Sequence, residues 1–145
     1  MTADIFEYSL RLINKYNRIA SKPRCYGTDE LLYTAEVHII AAVGSRSKTT
    51  VTELSEQMGI TKGAISQTLK KLEGKGYICR CVSEKRRNEV HITLSEKGQK
   101  VYEYHNAMHG NTREIIEKNL DSETEQAVYR LMKVLDDMLD SINDN

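Results

Sequence analysis

Residues 52–76, TELSEQMGITKGAISQTLKKLEGKG, constrain the fold more than any other part of the chain. Leu54 and Met58, then Ile65, Leu69 and Leu72, recur at three- and four-residue steps, which predicts two short amphipathic helices. Gly59 interrupts them. It can take the left-handed conformation that ends a helix at little cost, and Thr61 is a good cap for the next helix, from Lys62 to about Gly74. Upstream, Thr50-Val51-Thr52-Glu53 has the capping-box pattern, so the first helix of the pair starts at Val51. Leu54, the small Ser55, Gly59 and the branched Ile65 have the spacing of a helix-turn-helix, in which small groups let two helices cross closely. An ordinary helical hairpin is the competing reading.

The chain changes period after Gly76. YICRCV and EVHITL are short and rich in β-formers, and the polar SEKRRN between them predicts a β-hairpin with a basic tip. A helix-turn-helix followed by such a hairpin is a winged helix. Ser95 then caps a helix from Glu96 to about Asn119, and Ser122-Glu123-Thr124-Glu125 reads as a second capping box opening a last helix. At the other end, Ile5, Phe6, Ser9, Leu10, Ile13 and Tyr16 form the stripe of a first helix that should stop near Pro23. A loop carries Cys25 to Glu30, and TAEVHIIAAVG predicts a largely buried second helix from about Thr34 to Val43, ended by Gly44.

In the last helix Val128, Leu131, Leu135, Met138 and Ile142 step by three and four, the spacing of a narrow coiled-coil seam. With Leu10, Ile13 and Tyr16 they could build a dimer interface from the two chain ends. The alternative is packing of the last helix onto the 96–119 helix. The expected architecture is mainly α with a small β-wing, as one domain over 1–145. Residues of about 33–100 form the winged helix-turn-helix core, and about 1–22 and 101–145 form N- and C-terminal dimerisation helices.

Lys and Arg balance Asp and Glu at 21 each, but not locally. Residues 46–100 hold twelve basic against six acidic side chains, a net +6, whereas 101–145 hold four against ten, a net −6. A basic middle suggests a local anion-binding surface. No run approaches the length of a membrane helix, and Asp4 and Glu7 stand where a signal peptide would carry a basic start, so a cytoplasmic location is expected. Cys25, Cys79 and Cys81 are an odd count with no CxxC, which argues against a disulfide framework; Cys79 and Cys81 simply occupy β positions. There is no glycine-rich phosphate loop, no HExxH and no nucleophile elbow, so an enzyme is not expected. The remaining rival is a structural helical dimerisation module without specific DNA binding, which leaves the +6 middle unexplained.

The order of elements, together with LEGKGYI and LSEKG, resembles the MarR family of bacterial transcription regulators over essentially the whole chain. The two segments are similar to that family's L-x-x-K-G-(Y/L)-(I/V) and L-T-E-K-G. The resemblance implies a sequence-specific regulator, a homodimeric repressor released or engaged by a small effector. Each subunit would place a recognition helix in a major groove of a pseudo-palindromic operator and a wing against a minor groove. With Ile65, Leu69 and Leu72 turned inward, the 62–74 helix offers Lys62, Gly63, Ser66, Gln67 and Lys70 outward, and its Thr61 end points free amides at a phosphate. Gln67 is the best candidate for reading adenine.

The wing departs from the family. Its usual Asp-x-Arg pair falls on Arg86 and Asn88, or on Glu84 and Arg86 after a shift of two. Either register keeps a basic tip of Lys85, Arg86 and Arg87 for a narrow minor groove.

His105 and His109 stand four apart on one helical face, a spacing that can chelate a metal. With His38 they resemble the zinc-responsive branch of the family, and Glu36 or Cys25 could complete a tetrahedral site. Similar histidines also occur in the branch that regulates fatty-acid synthesis. Zinc, an organic or acyl effector, and simple packing therefore stay open for His38, His105 and His109. Cys25, flanked by Arg24 and Tyr26, has a further reading as a reactive thiol similar to that of the peroxide-sensing branch.

Overall fold

The amphipathic stripe of the first segment forms α1 (Ile5–Ala20), whose N-cap Asp4 accepts from the amides of Phe6 and Glu7. A computed structural model describes residues 4–83 and 89–143. Helix α1 ends ahead of Pro23 as expected and buries none of its residues.

The predicted loop over 25–30 is closed by a two-residue ladder, β1 (Arg24–Cys25) paired antiparallel with β2 (Leu31–Leu32). Two residues are too few to show any alternation, so periodicity cannot find it. The ladder seats Tyr26 and Leu32 in the core.

Helix α2 (Thr34–Gly44) is buried on most sides through Val37, Ile39, Ile40 and Val43. Gly44 is its last residue but not a left-handed stop, which corrects the sequence reading: its φ is not positive, and the helix closes on Ser45. The missing side chain serves contact instead. A Cβ at Gly44 would stand 2.6 Å from the Tyr102 ring and 2.8 Å from Leu94.

Helix α3 (Val51–Met58) opens with the expected capping box. Thr50 Oγ1 accepts from the Glu53 amide, and the Glu53 carboxylate accepts from the Thr50 amide at 2.8 Å. Gly59 stops it at φ 65°, and Ser55 Oγ donates to the Ile60 carbonyl across the turn. Helix α4 (Lys62–Gly74) follows with Thr61 as cap. Leu54, Ile65, Leu69 and Leu72 are fully buried together, so the crossing of α3 and α4 is fixed by the side chains whose spacing predicts it.

Strands β3 (Ile78–Val82) and β4 (Val90–Leu94) form the hairpin, in register from Ile78 opposite Leu94 to Val82 opposite Val90. A third segment joins at its base. Thr49 and Ile92 exchange both backbone hydrogen bonds, at 3.1 and 2.8 Å, so β4 is held on both sides there.

Helix α5 (Glu96–Asn119) starts on Ser95, whose hydroxyl accepts from the Gly98 amide and donates to the Gly76 carbonyl. The entry to β3 crosses the first turn of α5 so closely that a Cβ on Gly98 would overlap the Tyr77 carbonyl oxygen. This is the physical reason for glycine in LSEKG.

Helix α6 (Ser122–Asn143) is capped one residue earlier than expected: Asp121, not Ser122, accepts from the Thr124 amide at 2.8 Å. Asp and Ser are near-equal caps, and only the local chain path chooses between overlapping registers.

Contacts group the chain into residues 1–106, which hold the core, and residues 107–145. In the second unit Val128, Leu131 and Met138 are exposed, while Leu135 is half-buried.

Candidate nucleic-acid interface and histidine cluster

Because Ile65, Leu69 and Leu72 take the inner side of α4, the chain has no choice about what the outer side presents. Thr61, Lys62, Gly63, Ser66, Gln67 and Lys70 are all exposed, on the side away from the core. Thr61 Oγ1 satisfies the Ala64 amide at 3.2 Å, which leaves the amides of the first turn free to meet an anion. Small side chains at 63 and 66 allow close approach, Gln67 can read a base edge, and Lys62 and Lys70 can grip phosphates. Lys85, Arg86 and Arg87 lie outside the described residues. The strands that lead to them are described up to the bond from the Ser83 amide to the Glu89 carbonyl, 2.8 Å.

The position of α4 is held by ions at its far end. Lys75, the residue that closes the helix, places its ammonium 2.8 Å from the buried Glu36 carboxylate at the start of α2. Lys97 from α5 donates to the Lys75 carbonyl at 2.9 Å and to Glu30 at 2.6 Å. The Lys97 ammonium also lies 4.4 Å from the centre of the Tyr77 ring, and the Tyr77 hydroxyl donates to Glu30 at 3.2 Å. The hydrogen bond from Lys97 holds the Glu30 carboxyl below its ordinary value, and the same bond raises Lys97. Loop, recognition helix, wing entry and α5 are thus pinned together by one polar cluster beside the fully buried Tyr77.

His38 on α2 and His105 on α5 pack edge to face, ring centroids 5.4 Å apart and planes at 74°. Both are half-buried, and each offers a ligand nitrogen within 4.8 Å of the other's. His109 follows one turn later on α5 and is exposed.

The sequence profile described as "MarR family" matches residues 32–87, the stretch from the end of β2 past β3 and short of β4. A regulator from Bacillus subtilis (strain 168), described as the uncharacterised helix-turn-helix transcriptional regulator YhjH, is 24% identical over 94% of this chain and 85% of its own. FabT of Streptococcus pneumoniae, crystallised in complex with DNA, superposes with a TM-score of 0.72 at 25% identity, covering 96% of this chain and 99% of that one.

Residues 32–87 are thus similar to the MarR family, and the fold around them is that of the family's solved members. The chain is a helix-turn-helix transcription regulator rather than an enzyme. ZitR of Lactococcus lactis, described as a zinc-responsive family member, shares the fold at 20% identity, with a TM-score of 0.67 and coverage of 92% of this chain and 96% of that one. Among the described residues no helix is long and apolar enough to cross a membrane.

Neither Glu36 nor Cys25, the two alternatives for a fourth ligand, stands with the histidines. Glu36 is no partner for the histidines: one carboxylate oxygen receives Lys75 and the other accepts the Tyr33 amide at 2.9 Å, closing the cap of α2. Cys25 is exposed on β1 and does not join the group of ligand atoms. The role of Glu36 was open to detection in the sequence. A lone acid inside the buried run TAEVHII requires a cation, and the basic end of α4 supplies it.

Proposed function

We propose that the protein is a homodimeric repressor that binds a pseudo-palindromic DNA operator in the cytoplasm and responds to a small effector at His38, His105 and His109. The carrying observation is the outer side of α4, polar and exposed over a rigid apolar backing. The same fold in FabT was crystallised with DNA, and the fold provides a major-groove helix of the right dimensions. Gln67 reads, Lys62 and Lys70 grip, and the amides behind Thr61 hold a phosphate. Lys85, Arg86 and Arg87 serve the minor groove.

Dimerisation is supported by uncovered apolar surface at both chain ends. Leu10, Ile13 and Tyr16 on α1 are 44–52% exposed, and Leu131 and Met138 on α6 stand at 40% and 43%, with Leu135 beside them half-buried. Surface of this kind marks an interface. A helical module without DNA binding would share these faces but not the polar side of α4. Sedimentation combined with operator titration at increasing salt separates the two. A dimer whose affinity falls steeply with salt is expected, and a monomer, or salt-independent binding, refutes the proposal.

The paired imidazoles of His38 and His105, with His109 four residues further along α5, favour zinc over an organic effector. Zinc should bind at one equivalent per subunit and weaken as the pH falls toward about 6, since only neutral imidazole is a ligand. Its effect on DNA is measured by the ratio of operator affinities with and without metal. Equal affinities would leave the three histidines as packing residues or as the wall of an organic site.

A further inference from the structure

Strand β3 alternates, so Cys79 and Cys81 share one face of the wing while Ile78 enters the core on the other. Both thiols are free and exposed. The ladder sets His91 directly opposite Cys81 and Thr93 opposite Cys79, which puts two sulfurs and one imidazole on the same outward face. The Nδ1 atom of His91 is shielded from water and, among the described residues, has no hydrogen-bond partner. A polar nitrogen in that condition lacks a compensating bond that a ligand would restore.

We propose that this face is a binding site for a thiophilic metal ion, with Cys79, Cys81 and His91 as its three protein ligands. Same-face neighbours along a strand stand about 6.5–7 Å apart, and directly opposed side chains have Cβ atoms about 4.5–5.5 Å apart. The first spacing is too wide for a disulfide, which needs Cβ atoms about 4 Å apart. The donor atoms of Cys79, Cys81 and His91 do not yet stand within 4.8 Å of one another, and the spacing suits two sulfurs that turn about χ1 to lie about 2.3 Å from a shared ion. Two thiolates and an imidazole select soft or borderline ions over magnesium or calcium. Binding displaces one proton from each thiol, so a divalent ion adds no net charge to the wing. The ion would clip β3 to β4 on the side opposite the core. This site shares no residue with the histidines of α2 and α5.

The test is a cadmium titration of the full-length reduced protein carrying Cys25→Ser, read by thiolate-to-metal charge-transfer absorption in the ultraviolet. The band should saturate at one ion per chain and vanish in Cys79→Ser/Cys81→Ser. In His91→Ala affinity should fall about 10-fold or more, as for loss of groups that support a metal site. His105→Ala/His109→Ala should leave the band intact. Because both thiols are exposed, the serine variants should melt with the parent, and that melt is measured alongside. A band that survives the double serine change, or an unchanged affinity in His91→Ala, overturns the site.

Discussion

The Glu36 carboxylate, buried at the start of α2, receives the Lys75 ammonium from the end of the recognition helix at 2.8 Å. Glu36 lies two residues before His38, so the helix that carries one candidate effector ligand also clamps α4, the helix proposed to meet DNA. Glu36→Gln should destabilise the fold by about 1–3 kcal/mol, the range for a charged hydrogen bond, discounted here because the Lys75 side chain remains 37% exposed. It should also weaken operator binding, whereas Lys70→Gln should cost DNA affinity with no loss of stability. Denaturant melts and operator titrations on both variants check the contrast.

Reading and gripping should separate along α4. Gln67→Ala should lose about 1–3 kcal/mol on the preferred operator and relax discrimination at one or two base positions, while Lys70→Ala should weaken all sequences alike. Titration against a panel of single-base operator variants measures both. An unchanged preference in Gln67→Ala would remove that residue from base reading.

Two glycines in one helix should respond with opposite signs. Gly98→Ala forces a Cβ into the Tyr77 carbonyl, a backbone atom at the entry to the wing, and should cost at least about 1–3 kcal/mol as overpacking does. Gly110 has open space around it in the same α5, so Gly110→Ala should stabilise by roughly 0.5–1 kcal/mol through helix propensity. Thermal melts of the pair at one protein concentration test this.

Acid should loosen the helix-turn-helix at a known place. The Thr50 amide, donating to Glu53, chiefly holds that carboxyl below its ordinary value of 4.5, and the Thr50 hydroxyl adds to it. A depressed carboxyl contributes stability that is present above the unfolded value and is lost as pH falls through the folded one. The capping contribution should therefore be complete above about pH 5 and decline below 4.5. Glu53→Gln should flatten the stability profile in that window and leave it parallel to the parent above pH 5. A profile unchanged below pH 4.5 would show that the cap does not couple to folding.

The helix-turn-helix was legible because its determinants are local. The step of Leu54, Met58, Ile65, Leu69 and Leu72, the box of Thr50 and Glu53, and the left-handed Gly59 each act within a few residues. What escaped depends on chain crossings. Gly44 looks like a helix stop in sequence, but its use is the approach of Tyr102 and Leu94 from distant segments. Asp121 and Ser122 offer two caps one residue apart, and nothing nearby ranks them. The three histidines could be grouped from helix spacing and family likeness. That a buried Glu36 must be paired was legible too, but which cation pairs it was not, because Lys75 lies 39 residues away.

The two-way bond between Thr49 and Ile92 makes the base of the wing an interior strand position, while among the described residues Cys81 with His91 and Val82 with Val90 pair on one side only. Mechanically the hairpin is a lever with its fulcrum at Ile92, anchored in the core and stiff at that end. Bending therefore concentrates distally, toward Val82 and Val90, where both side chains are exposed. Under the proposed function, the described strands beyond Ile92 can give without disturbing α4, whose place is set by Leu54, Ile65, Leu69 and Leu72 in the core.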